Sequence, residues 1–334
     1  MATYKGIQGF AIQNLSSDPT TFITGQVWYN SGDTEYKVTI SGTNVPDVWA
    51  TGGNLPTTKR YHGGAGTQTA TVAFGGKQGP GSSKLATTEE YNGSSWTASN
   101  NMGTARYALS SAVNGLQTAA LGFGGNLGNP GYAYTNVTEE YDGSSWTGGG
   151  NLNTARGFGA GAGTQTAGLF FGGLPPPDSS ALTEEYNGTS WTNGNVMSQV
   201  RAFFGGCGIQ TAALAVAGQD RGEGGSETVC EEYNGTNWSS AGSLGASRYN
   251  GTATGTQTAA LSCGGLPPST APAARTELYD GTSWTTSTDA NSGRNYLAGA
   301  GTQAAAIIFG GGNVSNATEE FTLGNPATRT ITTT

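Results

Sequence analysis

The sequence predicts an all-β fold, a closed ring of small four-stranded antiparallel sheets, and three observations point to it. First, tryptophan recurs at Trp49, Trp96, Trp146, Trp191, Trp238 and Trp284, in steps of 47, 50, 45, 47 and 46 residues. Second, four other markers keep the same step. An arginine follows each tryptophan by ten or eleven positions (Arg60, Arg106, Arg156, Arg201, Arg248, Arg294), and a Gly-x-Gln comes next, beginning at Gly66, Gly115, Gly163, Gly208, Gly255 and Gly301. A small or apolar stretch then ends in glycine, as in "VAFGG" and "IIFGG", and an acidic-aromatic segment such as "EEYNGSSW" closes the unit. Third, Gly and Asn punctuate each unit about every ten residues, and the segments between them are rich in Thr, Ala, Tyr and Trp, which is strand composition.

In the second full unit, strands are expected near 107–113, 118–124, 137–141 and 144–147. The Asn-Gly or Asp-Gly between the last two is read as a two-residue type I′ hairpin turn, whose two central residues both need positive φ. A four-stranded unit of about 47 residues repeated six times fits a six-bladed β-propeller. The ends suggest how the ring closes. The last unit stops after "EEFTLG" without a tryptophan strand, while "VWAT" at 48–51 has no acidic segment before it. An N-terminal strand is therefore expected to complete the last blade. Seven blades is the alternative, because the hairpin pattern at 25–40 could join the C-terminal "ATRTITTT" in an extra sheet. The division that follows is an N-terminal arm, 1–24, and a propeller, 25–334.

Composition limits what the chain does. A net charge of −8, with 14 basic residues in no basic cluster, argues against nucleic acid bound through its phosphates. No apolar run is long enough for membrane insertion, and the opening "MATYKGIQGF" lacks the pattern of a secretory signal. Cys207, Cys230 and Cys263 cannot form a closed disulfide set and are expected to pack as small apolar residues.

The repeated Glu-Glu pairs resemble the paired carboxylates of acid-base chemistry, but neighbours on a strand point to opposite faces and cannot share a substrate. Eleven of the 22 acidic residues occupy these positions, so one Glu per blade is expected to pair with the repeat arginine of its own or the next blade. His62 is the only histidine, too few for a zinc or copper centre. It follows the repeat arginine by two, where other units place Ala108, Phe158, Phe203, Asn250 and Tyr296, and it is read as structural. No catalytic residue, metal or cofactor is expected.

Apolar residues followed by Gly-Gly, then a Tyr and a Trp at a short fixed gap, resemble the kelch repeat over roughly residues 45–323. Two units depart from it: the fourth ends in "AVAG", without the double glycine, and the sixth lacks its Trp. The opening segment, "GFAIQNLSSDPTTFITGQVWYN", resembles the start of bacteriophage tail-fibre and virion appendage proteins. That resemblance implies a non-enzymatic virion protein, assembled in the host cytoplasm and exposed on the particle, whose arm docks on other virion proteins. Sequence variation concentrates in the connections at 77–87, 126–136, 174–182, 219–228 and 266–275, the expected recognition face. Tyr132 and Tyr134 are candidates to stack on a sugar, and Asp178, Asp220, Arg221 and Glu223 to hydrogen-bond it. The expected ligand is a host surface glycan or protein receptor. The alternatives are an assembly or decoration protein with no host ligand, and a glycan-degrading propeller enzyme.

Overall fold

The structure is a computed structural model and describes residues 13–17, 27–32, 35–39, 46–79, 83–128, 133–175, 179–220, 225–267, 271–312, 315–324 and 328–331. It forms two compact units: residues 49–322, and residues 1–48 together with 323–334.

The larger unit is a six-bladed β-propeller. Blade 1 contains Gly63–Thr67, Ala70–Phe74, Thr88–Tyr91 and Trp96–Ser99, each antiparallel to the next. Blades 2 to 5 repeat this order from inner strands Ser110–Ser111, Ala160–Gly163, Gly205–Ile209 and Thr252–Thr256. Blade 6 begins at Ala298–Gly301 and ends on Val48–Thr51, which pairs with Thr318–Thr322. The N-terminal strand thus completes the last blade, as expected from its orphan tryptophan. The inner strands pack side by side around the axis. Apart from Cys207 and the exposed end residue Ile209 they are made of Gly, Ala, Ser and Thr, because space at the axis is short: a Cβ on Gly161 would lie 2.2 Å from the Ser111 carbonyl oxygen.

The core lies between the blades. Between blades 1 and 2 it is Val72, Phe74, Leu109, Ala120 and Tyr141; between blades 3 and 4, Leu169, Phe171, Phe204, Ala213 and Tyr233. The three cysteines are free and buried, and Cys207 and Cys230 both join the core between blades 4 and 5.

The hairpin turn differs from the type I′ expectation. Tyr91 pairs directly with Trp96, leaving Asn92 to Ser95 as the loop, and only Gly93 has positive φ (88°). The Asn92 side chain accepts hydrogen bonds from the amides of Ser94 and Ser95. Asn or Asp is needed here as an acceptor, not for a left-handed backbone. Asp142 and Asp280 do the same, and those bonds hold their carboxyls below the ordinary range.

The second unit is one sheet: Gln13–Leu15 runs parallel to Val27–Asn30, which pairs antiparallel with Glu35–Thr39, and that strand pairs with Thr328–Ile331. The 25–40 hairpin does join the C-terminal segment, but as a sheet of its own and not as a seventh blade. Of the expected docking arm, 1–24, only residues 13–17 are among those described.

Candidate functional site

Four of the repeated residue types are engaged in joining strands and blades. The first Glu of each pair lies buried against a cation in the connection that leads into its own blade: Glu139 with Arg106, Glu184 with Arg156, Glu231 with Arg201, Glu277 with Arg248 and Glu319 with Arg294. These carboxylates also accept backbone amides, for example Ser198 on Glu231 at 2.7 Å. The second Glu accepts from the tyrosine of the next blade: Tyr141 to Glu90, Tyr186 to Glu140, Tyr233 to Glu185, Tyr279 to Glu232, and across the closure Tyr91 to Glu320. Burial and these carboxylates push the phenols up, to about 12 for Tyr91, Tyr141, Tyr186 and Tyr279. At the sixth junction both partners change together, Leu278 in place of the acid and Phe321 in place of the tyrosine.

Each repeat glutamine donates to two carbonyls of the preceding blade, as Gln165 does to Ala120 and Tyr141 and Gln68 to Ala306 and Phe321. The tryptophans donate to the preceding blade too: Trp96 to Thr318, Trp146 to Thr88, Trp191 to Thr138, Trp238 to Thr183 and Trp49 to Thr276. Where Cys230 stands at the threonine position, Trp284 donates to the Gly242 carbonyl instead.

One repeat position is corrected. In blade 1 the buried cation on Glu89 is Lys59, not Arg60. Counted to Lys59, the distance from the tryptophan is ten residues in every unit. Reading for arginine alone shifts blade 1 by one residue, and the invariant spacing is the signal that resolves it. The equivalent of Ala108 and Phe158 is then Tyr61, and His62 aligns with Leu109, Gly159, Phe204, Gly251 and Leu297.

That shift exposes a feature the sequence reading missed. Tyr61, Ala108, Phe158, Phe203, Asn250 and Tyr296, one per blade, all have left-handed φ between 54° and 61°, a conformation that costs about 1 kcal/mol or more in a side-chain-bearing residue. The return is a circle of backbone hydrogen bonds. Each amide donates to the carbonyl of the equivalent residue in the preceding blade, ending with Tyr61 to Tyr296 at 3.0 Å. The circle lies where the connections between blades meet the variable connections, joined to them by bridges such as Arg60 with Lys77 and Tyr107 with Asn126.

At this end of the axis half-buried aromatic rings gather. Tyr61 lies 4.2 Å from Tyr296 and, across the small Ala108, 5.4 Å from Phe158, which meets Phe203 at 4.6 Å; Tyr107 and Tyr134 border the group. Burial and a hydrogen bond with Tyr296 hold the Tyr61 phenol neutral far above its ordinary range. The Arg60 guanidinium stands 5.7 and 5.8 Å from the Tyr61 and Tyr296 rings, and the Lys77 ammonium 5.2 Å from Tyr107. Beneath the rings is a cavity of about 120 Å³, lined also by His62, Ser110, Ser111 and Thr252.

No family model matches this chain, and no curated protein matches it. The site must therefore be read from its own groups. Burial, then Lys59, holds His62 uncharged well below its ordinary range, and among the described residues neither ring nitrogen has a hydrogen-bond partner. The cavity hydroxyls are engaged by backbone, Ser110 with the Gly159 carbonyl and Ser111 with that of Gly64. Among the described residues no three His, Cys, Asp or Glu group closely enough to hold a metal.

The opposite end of the axis is bridged by a side chain. Asn114 of blade 2 reaches across to blades 4 and 5, donating to Gly255 and accepting from Gly208. Of the residues singled out for recognition, Tyr134 borders the aromatic cluster and half-buried Asp220 sits in a short hairpin with Gly225–Ser226. Tyr132, Asp178, Arg221 and Glu223 lie outside the described residues.

Proposed function

We propose that this chain is a non-enzymatic recognition protein of kelch type, carried on a bacteriophage particle, whose propeller binds host surface glycan at the variable-loop end of its axis. The observation that carries this reading is the difference between the two ends. One is bridged by Asn114 among tight repeated turns, and the other presents half-exposed tyrosine and phenylalanine rings with two cations beside them. Stacked aromatic faces with a few polar groups at the rim suit saccharide rings, which are apolar on their faces and polar at their edges. The engagement of the repeated Glu, Tyr, Gln and Trp between strands and blades, and of the Ser110 and Ser111 hydroxyls by backbone carbonyls, supports recognition over turnover. The remainder of the proposal is that the N-terminal arm docks the propeller on a neighbouring virion protein.

Binding of purified protein to host cells and to a saccharide array tests the recognition. Tyr61→Ala and Tyr296→Ala are expected to reduce it at least tenfold. Undiminished binding, or none by the intact protein, would favour a decoration or assembly role without a host ligand. Deleting residues 1–24 is expected to abolish incorporation into particles while leaving a folded propeller; normal assembly of the truncated chain would reject the docking role.

A further inference from the structure

We infer that the axial mouth selects an acidic saccharide, its anionic group held between Arg60 and Lys77 and its ring laid against the tyrosines beside them. The inference rests on the saccharide reading above and adds the charge of the ligand.

Its first support is where the cations are. Net charge is −8, and among the described residues seven Lys and Arg side chains are held in ion pairs with the repeat glutamates, six of them buried. Arg60, Lys77 and Lys84, by contrast, share one edge of blade 1: Lys77 pairs with Arg60 on one side and with Lys84 on the other. The backbone of Arg60 and Lys77 exchanges hydrogen bonds of 3.1 and 2.9 Å, which sets their side chains next to each other. Like charges on directly opposed residues repel, and among the described residues no carboxylate forms an ion pair with either one. The Lys77 ammonium is pulled below its ordinary range by burial and by Arg60. An anion between them removes that repulsion, and a carboxylate or sulfate matches the planar fork of a guanidinium.

The second support is the space available. The cavity of about 120 Å³ is several times the roughly 10–15 Å³ that admits one water. That is enough for a sugar substituent entering between the rings, and the ring itself then rests above, on Tyr61 and Tyr296.

The test is calorimetric titration of the full-length protein with an oligogalacturonate, its carboxyl-reduced counterpart, a sulfated galactan and the desulfated polymer. The expected result is that one or both acidic probes bind roughly tenfold or more tighter than their neutral partners, with affinity falling as salt is raised. The carboxylated and sulfated arms separate the two anion sources. Arg60→Gln and Lys77→Gln are expected to remove most of that preference with unchanged melting curves. The salt dependence of the unmodified protein is a second readout that needs no variant. Equal binding of charged and neutral partners, or an acid preference that survives both substitutions, overturns the charge inference and leaves saccharide recognition standing. Failure of all four probes to bind defeats the inference and the saccharide reading together.

Discussion

Arg201→Met is the substitution that asks most directly whether the repeated acids are structural. Arg201 and Glu231 are both fully buried, joined at 2.8 Å, and Arg201 also donates to the carbonyls of Ala217 and Val229. Methionine fills much of the same space but leaves Glu231 charged in the core with only the Ser198 amide as a bond. Stranding one partner of a buried pair costs about 3–5 kcal/mol. At roughly 2–4 °C per kcal/mol this is a fall of about 6–20 °C in melting temperature. The paired change Arg201→Met with Glu231→Leu removes the stranded charge and is expected to cost only about 1–2 kcal/mol. Thermal unfolding of the two single variants and the double variant completes the cycle. A single variant within about 1 kcal/mol of the parent, or a double variant as unstable as the sum of the singles, would refute the reasoning.

Three further outcomes follow from the same geometry. Leu278→Glu with Phe321→Tyr builds at the sixth junction the clasp the other five possess. Each single change is expected to destabilise by about 1–3 kcal/mol and the double to recover most of it, as read by urea unfolding. The clasp tyrosines Tyr91, Tyr141, Tyr186 and Tyr279 are raised to about 12 in the folded protein against about 10 unfolded. Their contribution is thus complete below pH 10 and lost as pH rises through 12; phenolate absorbance appearing near pH 10 in folded protein would contradict it. Gly264→Ala places a methyl 2.5 Å from the Arg294 carbonyl oxygen at φ 73° and is expected to cost more than about 2 kcal/mol in a melting experiment. At the equivalent site in blade 4, Ala217 already tolerates φ 61°.

Much of the ring was legible because its markers are local and periodic. The tryptophan strand, the Gly-x-Gln and the acidic-aromatic strand each keep a fixed register, and the orphan "VWAT" strand pointed to the closure that Val48–Thr51 makes with Thr318–Thr322. Pairing of one Glu per blade with a cation followed from the alternation of faces. The partner of the second Glu did not, since a tyrosine in the next blade is defined only once the blades are placed. Lys59 was obscured by reading residue type ahead of spacing. The turn at Asn92 was misassigned because Asn-Gly also builds a side-chain-capped loop. The circle at Tyr61 and its equivalents was invisible for a different reason: Tyr, Ala, Phe and Asn share no chemistry, and what is repeated there is a backbone angle. The candidate recognition residues were chosen by residue type within the variable connections, and four of the six lie outside the described residues; the aromatic cluster was not legible because it assembles from five connections that meet only at the axis.

Amide hydrogen exchange at Tyr61, Ala108, Phe158, Phe203, Asn250 and Tyr296 tests most directly that the chain is a ring shut on itself, with its repeats engaged in holding it shut. All six amides are expected among the slowest in the protein, with Tyr61, whose bond joins the first blade to the last, as protected as the rest. Rapid exchange at Tyr61 beside slow exchange at Phe158, Phe203 and Tyr296, whose own amide bonds Asn250, would mean that the circle is open.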